Sequence, residues 1–337
     1  MNRVFRDLAG PCLASGGSVL CIGAFDGVHL GHRAVLTRVH ERATELGLTP
    51  VAISFEPIPR AYFSRGAPLP RLGSVREKIE LIAAAGIERL LLLRFDARLA
   101  AMPANEFIER VIVERCAARE IWVGADFRFG HARRGDVASL REAAHDRDFR
   151  VEVLPTIEVE GARVSSSAIR SQLAAGDFDA AARGLGRRFA IGGHVVRGRR
   201  LGHRLGYPTA NILLGARVAP LAGIFAVRVH GVGRNERAGV ASLGVRPTIE
   251  SDADSTRDVP ILEAHLFDFD GDLYGRRMDV EFVAKLRDEE KFADLDALRV
   301  QMEQDAAQAR RLLQATGTSS QYDHSGSERA AMQRHAR

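Results

Sequence analysis

The first half of the chain alternates between two hydrophobic periods, and this restricts the possible folds more than any other feature. Short apolar runs at 19–24, 51–55, 89–93, 121–123 and 150–154 read as strands. Between them, the stretch from Leu30 onward and those over 74–85, 104–115 and 137–145 space their apolar residues three and four apart, which predicts helices. Parallel strands need a crossover long enough to hold a helix, so this rhythm predicts a parallel sheet with helices on both faces. Such sheets bind ligands beyond the carboxyl ends of their strands, where the strand order reverses. Three candidate segments follow strands in this way: 23–32, 56–60 (Glu-Pro-Ile-Pro-Arg) and 124–130 (Gly-Ala-Asp-Phe-Arg-Phe-Gly).

Of these, residues 21–32 (Cys-Ile-Gly-Ala-Phe-Asp-Gly-Val-His-Leu-Gly-His) carry the most chemistry. Asp26 and Gly27, in the segment that also holds Gly23 and Phe25, form a tight turn between the first strand and a helix whose Val35, Leu36, Val39 and Ala43 make an apolar stripe. His29 and His32 therefore stand at the helix N-terminus, where unpaired N–H groups and the positive dipole end attract anions. Three residues apart, they can point to one side of the first turn, and Gly31 between them lets a phosphate approach the backbone. Two imidazoles there can donate hydrogen bonds to phosphate oxygens. A bare His-x-x-His pair is more often two surface residues, and a metal site would need a fuller ligand set than Cys12, Cys21 and Cys116 offer. With the strand and the glycine turn in front, the segment resembles the Gly-x-Phe-Asp-x-x-His-x-Gly-His signature of the nucleotidyltransferase superfamily.

At 337 residues the chain exceeds what one core usually organises, and 46% hydrophobic content is ordinary for a globular protein. Three cysteines imply no disulfide framework and a reducing, cytoplasmic setting. The N-terminus bears Arg3, Arg6 and Asp7 and no run apolar enough for a signal or a membrane span. A formal charge of +5 suits anionic ligands and is too modest to demand nucleic acid.

A further segment, 163–170 (Arg-Val-Ser-Ser-Ser-Ala-Ile-Arg), puts Ser165 and Ser166 ahead of a helix predicted over 168–174. One serine is expected to cap that helix, and capping and anion binding draw on the same N–H groups. Arg163 adds positive charge suited to phosphate, although a single arginine at a helix start is commonly just solvated.

After a helix around 178–182 the character changes. Short strand-like pieces at 189–196, 223–229, 239–243, 261–267 and 278–282, separated by turn signals, predict an antiparallel barrel closed by a helix over 295–313. Residues 316–337 lack apolar periodicity and read as a disordered tail. The division expected is 1–182, 183–314 and 315–337. The densest motif of this half is 198–211, Gly-Arg-Arg-Leu-Gly-His-Arg-Leu-Gly-Tyr-Pro-Thr-Ala-Asn. Gly198, Gly202 and Gly206 allow a tight loop, and Thr209 and Asn211 supply neutral oxygens suited to Mg²⁺ or its water shell; an ordinary hairpin with Pro208 at a strand edge explains the same pattern equally well. The chain has no Gly-x4-Gly-Lys-Ser/Thr, so phosphate transfer here is not by a P-loop. Glu263, on the same side of its strand as His265, faces solvent or acts as a general base toward a substrate hydroxyl.

Together these motifs closely resemble the bifunctional bacterial riboflavin kinase/FMN adenylyltransferase (FAD synthetase) family. The resemblance runs from about residue 18 to 310 and includes 54–59, 123–130, 163–170, 205–211, 243–248, 262–269 and 273–275. It implies a Rossmann-like nucleotidyltransferase domain followed by a riboflavin kinase barrel. The barrel would convert riboflavin and ATP to FMN, and the sheet domain would join AMP from a second ATP to FMN, giving FAD and pyrophosphate. Carried over by motif, Thr209 and Asn211 would hold the magnesium nucleotide, and Glu263 would deprotonate the ribityl hydroxyl. His29 and His32 would stabilise the α-phosphate, with Ser165, Ser166 and Arg170 at the phosphates and Asp126 in the loop lining the flavin nucleotide pocket.

Five positions depart from the usual pattern: Ile58 where histidine is common, His203 where arginine is, Ser167 where threonine is, and Arg188-Phe189 where Pro-Tyr is. Ile58 removes a donor beside the nucleotide, and from it follows the alternative of a chain active as a kinase alone. Another class, an RNA-binding protein using Arg197, Arg199, Arg200 and Arg204, is disfavoured because clustered arginines are more often solvated or ATP-facing.

Overall fold

Strands β1 (Arg3–Phe5), β2 (Ser18–Ile22), β3 (Thr49–Glu56), β4 (Arg89–Arg94), β5 (Ala118–Gly124) and β6 (Arg150–Leu154) form one sheet in the order β1-β4-β3-β2-β5-β6. Every pairing in it is parallel. The structure, a computed structural model, describes residues 3–64, 68–197, 206–215, 217–245 and 260–316. It divides into two compact units, Met1–Leu69 with Gly73–Ser166, and Pro70–Leu72 with Ser167–Arg337.

In the first unit the strands are covered on both faces, which is why they read as continuous apolar runs. Val19, Cys21, Leu90 and Leu92 pack on one side with Leu36 and Val39 of α1 (Leu30–Leu46) and Ile82. Leu20, Ile22, Ile53, Ile121 and Val123 face the other side, against Phe107, Val111 and Ile112. The helix predicted over 104–115 has two geometries, α-helical at Ala104–Phe107 and π-helical at Ile108–Arg115. Ile82 belongs to α3 (Val75–Ala84), which starts at a capping box: Ser74 accepts from the N–H of Glu77, and the Glu77 carboxylate accepts from the N–H of Ser74. Between β3 and α3 lies the single turn α2 (Pro59–Tyr62). Helices α4 (Ala97–Ala101), α5 (Ala104–Phe107) and α6 (Val137–His145) and the two-residue strands β7 (Glu158–Val159) and β8 (Ala162–Arg163) complete the unit. From β2 the chain lays β3 and β4 to one side and then returns to lay β5 on the other, so the order reverses between β2 and β5. The loops after these two strands flank that switch point.

The second unit is a closed antiparallel barrel. Strands β9 (Ala190–Val196), β10 (Ala210–Leu213), β11 (Gly223–His230), β12 (Arg237–Val245), β13 (Pro260–Leu266) and β14 (Arg277–Arg287) close in the order β10-β13-β12-β11-β14-β9. Sequence reading missed β10, which is four residues long and follows a proline. Helix α7 (Ser166–Ala174) leads to α8 (Phe178–Leu185), whose first turn is capped by Asp177. Phe178 of α8 meets Phe225 edge-on at 6.0 Å and lies parallel to Phe282 at 6.4 Å. Helix α8 thus packs with the barrel, and a boundary at residue 182 falls inside it. The last helix, α9 (Leu295–Ala315), sets Ala309 and Leu313 against Ala226, Phe267 and Val283. Arg287 clamps the buried Asp305 of α9 through both carboxylate oxygens. The tail 317–337 lies outside the described residues. No helix among the described residues is long and apolar enough to cross a membrane.

Candidate active sites

The loop from β2 to α1 is shaped by backbone that most residues avoid. Phe25 (φ +48°), Gly27 (φ +77°) and Val28 (φ +39°) all have positive φ, which costs a non-glycine residue roughly 1–2 kcal/mol. Phe25 and Val28 are wholly buried, so packing holds the conformation. A Cβ on Gly23 would lie 2.9 Å from the Phe25 ring, so glycine is required there by the fold of the loop itself.

His29 is the N-cap of α1, and its Nδ1 accepts the N–H of His32 at 3.3 Å. An accepting Nδ1 places the ring proton of neutral His29 on Nε2, leaving that nitrogen as the donor. The His32 ring stacks on it, centroids 3.7 Å apart and 16° from parallel, and meets Phe25 edge-on at 5.2 Å. Burial, then repulsion from His29 and Lys78, holds the His32 pKa well below its ordinary value, so this ring is neutral at pH 7. Its Nδ1 is buried with no hydrogen-bond partner among the described residues. A Cβ on Gly31 would press the His29 ring at 3.2 Å. The room expected there for a phosphate is therefore occupied in part by His29 itself.

Asp26 is buried, and its carbonyl accepts the hydroxyl of Ser166 at 3.1 Å. Ser166 is thus the first residue inside α7, and its side chain reaches the β2–α1 loop; Ser165 is half-buried just before it. Asp126, after β5, is paired with Arg163 at 2.5 Å, and that arginine holds its carboxyl below the usual range. The two exposed residues neutralise each other in this state. Arg170 lies in the second unit, where its Nε donates to the Pro70 carbonyl at 2.7 Å. Ile58, at the start of α2, is buried.

Lys78 of α3 was not singled out by sequence reasoning. Its Nζ is buried and donates to the Phe55 carbonyl at 3.0 Å and to Glu56 at 3.1 Å, anchoring the carboxyl end of β3. With Asp26, Gly27 and Ser74 it lines a narrow cleft beside the β2–α1 loop. The signal was present: Val75, Lys78 and Ile82 share one helical stripe, and a lysine on a buried stripe requires a partner.

In the second unit, Asn211 and Glu263 are direct partners across the β10–β13 ladder, so both side chains stand on one face, with Ser242 opposite Glu263 on the next strand. Asn211 is buried; its Nδ2 donates to the Thr209 carbonyl at 3.2 Å, while its Oδ1 has no partner among the described residues. A buried carbonyl oxygen without a donor, on a neutral side chain, suits a hard cation or its water. Thr209 is half-buried, and Gly206 and Pro208 are exposed in the segment entering β10. His265 shares the face of Glu263, and its Nδ1 donates to the Pro208 carbonyl at 2.9 Å. Arg197 lies over the Tyr274 ring at 5.6 Å. Gly198, Gly202, Arg199, Arg200 and Arg204 lie outside the described residues, as do residues 246–248. Among the described residues, no group of three or more His, Cys, Asp or Glu side chains could hold a metal ion.

Comparison with known proteins assigns both halves. Residues 13–168 match the FAD synthetase family model and residues 185–313 the riboflavin kinase model. The chain is 44% identical to a bifunctional riboflavin kinase/FMN adenylyltransferase of Pseudomonas fluorescens, covering 88% of this chain and 93% of that protein. It is 40% identical to the protein of the same name from Escherichia coli K12, over 87% and 92% of the two chains. A crystal structure described as a macrolide-efflux protein from Streptococcus pneumoniae superposes with a TM-score of 0.73 at 27% identity, over 92% of this chain and 98% of that one.

Proposed function

This chain belongs to the bifunctional riboflavin kinase/FMN adenylyltransferase family, and from that premise we propose how its residues carry the two transfers. The chain is an enzyme with an N-terminal FAD synthetase domain and a C-terminal riboflavin kinase domain. Riboflavin and ATP give FMN and ADP in the barrel; FMN and a second ATP give FAD and pyrophosphate in the sheet domain.

For the kinase, the pairing of Glu263 with Asn211 across one ladder carries the reading. Glu263 accepts the proton of the ribityl 5′-hydroxyl as that oxygen attacks the γ-phosphorus and the bond to ADP breaks. Asn211 Oδ1 and the neighbouring Thr209 are the residues suited to Mg²⁺, which when bound neutralises charge on the phosphates. Gly206 and Pro208 shape the strand entry that positions Thr209, and Gly198 and Gly202 belong to the same nucleotide motif.

For adenylyl transfer, a phosphate oxygen of FMN attacks the α-phosphorus of ATP and pyrophosphate leaves. No proton has to be removed from the nucleophile, so positioning and charge neutralisation supply the rate. His29, with its donor fixed on Nε2, and the neutral His32 hydrogen-bond to oxygens on which charge grows. The tight turn built by Gly23, Phe25 and Asp26 holds them, Gly31 lies in the first turn of α1 against the His29 ring, and the Ser166 hydroxyl fixes the turn at the Asp26 carbonyl. Asp126 and Arg163 exchange their mutual contact for flavin nucleotide and phosphate, with Ser165 adding a donor. We place the enzyme in the cytoplasm, which the free thiols of Cys12, Cys21 and Cys116 support, and assign it no nucleic-acid or membrane partner.

The test is a time course of riboflavin with ATP and Mg²⁺, separating riboflavin, FMN and FAD by chromatography. Transient FMN followed by FAD is expected. Accumulation of FMN alone would remove the second transfer and restore the kinase-only reading that Ile58 raises.

A further inference from the structure

The ladder between β10 and β13 stops at the pair Ala210 and Ala264. Continued by one step it would set Thr209 opposite His265, and by two it would reach Pro208. A proline has no N–H to give, so no ladder can run through that position, and the chain leaves the sheet there. The departing segment is nevertheless fixed. His265 Nδ1 donates to the Pro208 carbonyl at 2.9 Å, and Asn211 Nδ2 donates to the Thr209 carbonyl at 3.2 Å. The His265 ring is itself held edge-on between Tyr207 at 5.1 Å and Phe267 at 5.8 Å, which limits where its nitrogen can point.

We propose that His265 is a positioning residue of the kinase site: by donating to the Pro208 carbonyl where the ladder has ended, it sets the angle at which Thr209 enters β10 and so the site's grip on the magnesium nucleotide. His265 touches neither the nucleotide nor riboflavin in this assignment. It acts through the Pro208 carbonyl and one peptide unit, and its neighbour on the same strand face, Glu263, does the proton transfer. Loss of the bond therefore raises KM for MgATP while kcat falls little. The inference rests on the assignment of Thr209 and Asn211 to the nucleotide.

Three substitutions separate the possibilities, because the amide nitrogen of asparagine is attached at the same carbon as Nδ1 of histidine, whereas that of glutamine lies one bond further, as Nε2 does. His265→Ala and His265→Gln are expected to raise the KM for MgATP in FMN formation about five- to tenfold, the range for one hydrogen bond. His265→Asn is expected to stay within about threefold of wild type, and FAD formation from supplied FMN is unchanged in all three. If His265→Ala does not fold, the contrast between Asn and Gln decides. Equal KM values for those two, or a loss confined to kcat, would overturn the positioning role. Thr209→Ala distinguishes a failure of the underlying assignment: if it leaves KM for MgATP unaltered, the nucleotide is bound elsewhere, whereas a raised KM there with wild-type behaviour in His265→Gln refutes the inference alone.

Discussion

Asn211 and Glu263 stand opposite each other on one face of the barrel, directly paired between β10 and β13. A carboxylate that can take a proton and an amide oxygen that lacks a donor among the described residues are thus fixed by a ladder rather than by loops. Glu263→Gln keeps the shape and removes the base. FMN formation is expected to fall by about two to four orders of magnitude, while FAD formation from supplied FMN continues at the wild-type rate. Initial rates of the two half-reactions check this, and an unchanged kinase rate would exclude Glu263 as the base.

His29 serves two purposes that different substitutions separate. His29→Ala removes both the imidazole and the cap on the N–H of His32, so adenylyl transfer is expected to drop about a hundredfold or more, with about 1 kcal/mol of stability lost as well. His29→Asn supplies a side-chain oxygen as N-cap and no imidazole. It is expected to be as inactive in FAD synthesis as the alanine variant but close to wild type in stability, with riboflavin phosphorylation intact in both. Denaturant midpoints beside FAD synthesis rates test the separation.

What could be read from the sequence was what is local or periodic. The alternation of strand and helix implied the parallel sheet, and the strand-turn-helix of residues 21–32 placed His29 and His32 correctly at the start of α1. Contacts between residues far apart in the chain were not readable. Arg163 reaches back 37 residues to Asp126, His265 reaches 57 to Pro208, and Ser166 reaches 140 to Asp26. Lys78 was overlooked because charged residues on helices are usually solvated, and only its place on the stripe of Val75 and Ile82 marks it as different. Helix α8 is amphipathic in sequence, but amphipathicity does not say which core the apolar face will meet.

The depressed pKa of His32 makes the sheet domain sensitive to acid. A group whose pKa is lower folded than unfolded is protonated first in the unfolded chain, so its contribution is complete above about pH 6.5 and is lost as pH falls toward the folded value. His32→Asn removes that linkage. The variant is expected to lose less stability than wild type between pH 6.5 and 5. Trp122, the single tryptophan of the chain, lies on β5 and reports unfolding of this domain by fluorescence. Parallel pH dependences for variant and wild type would show that His32 does not titrate across folding.

Phe178 tests whether α8 acts as part of the barrel. Its ring is 4% exposed and contacts Phe225 and Phe282, which themselves meet edge-on at 5.1 Å. Truncation to alanine removes an aromatic ring from this cluster, and the surrounding strands, tied to neighbours on both sides, can collapse only partly into the space. A loss of about 3–5 kcal/mol follows for a phenylalanine so placed. The loss is expected in the barrel alone: the urea midpoint for riboflavin phosphorylation drops, while the Trp122 transition of the sheet domain stays where it is. Equal movement of both transitions, or of the tryptophan transition only, would assign α8 to the sheet domain instead.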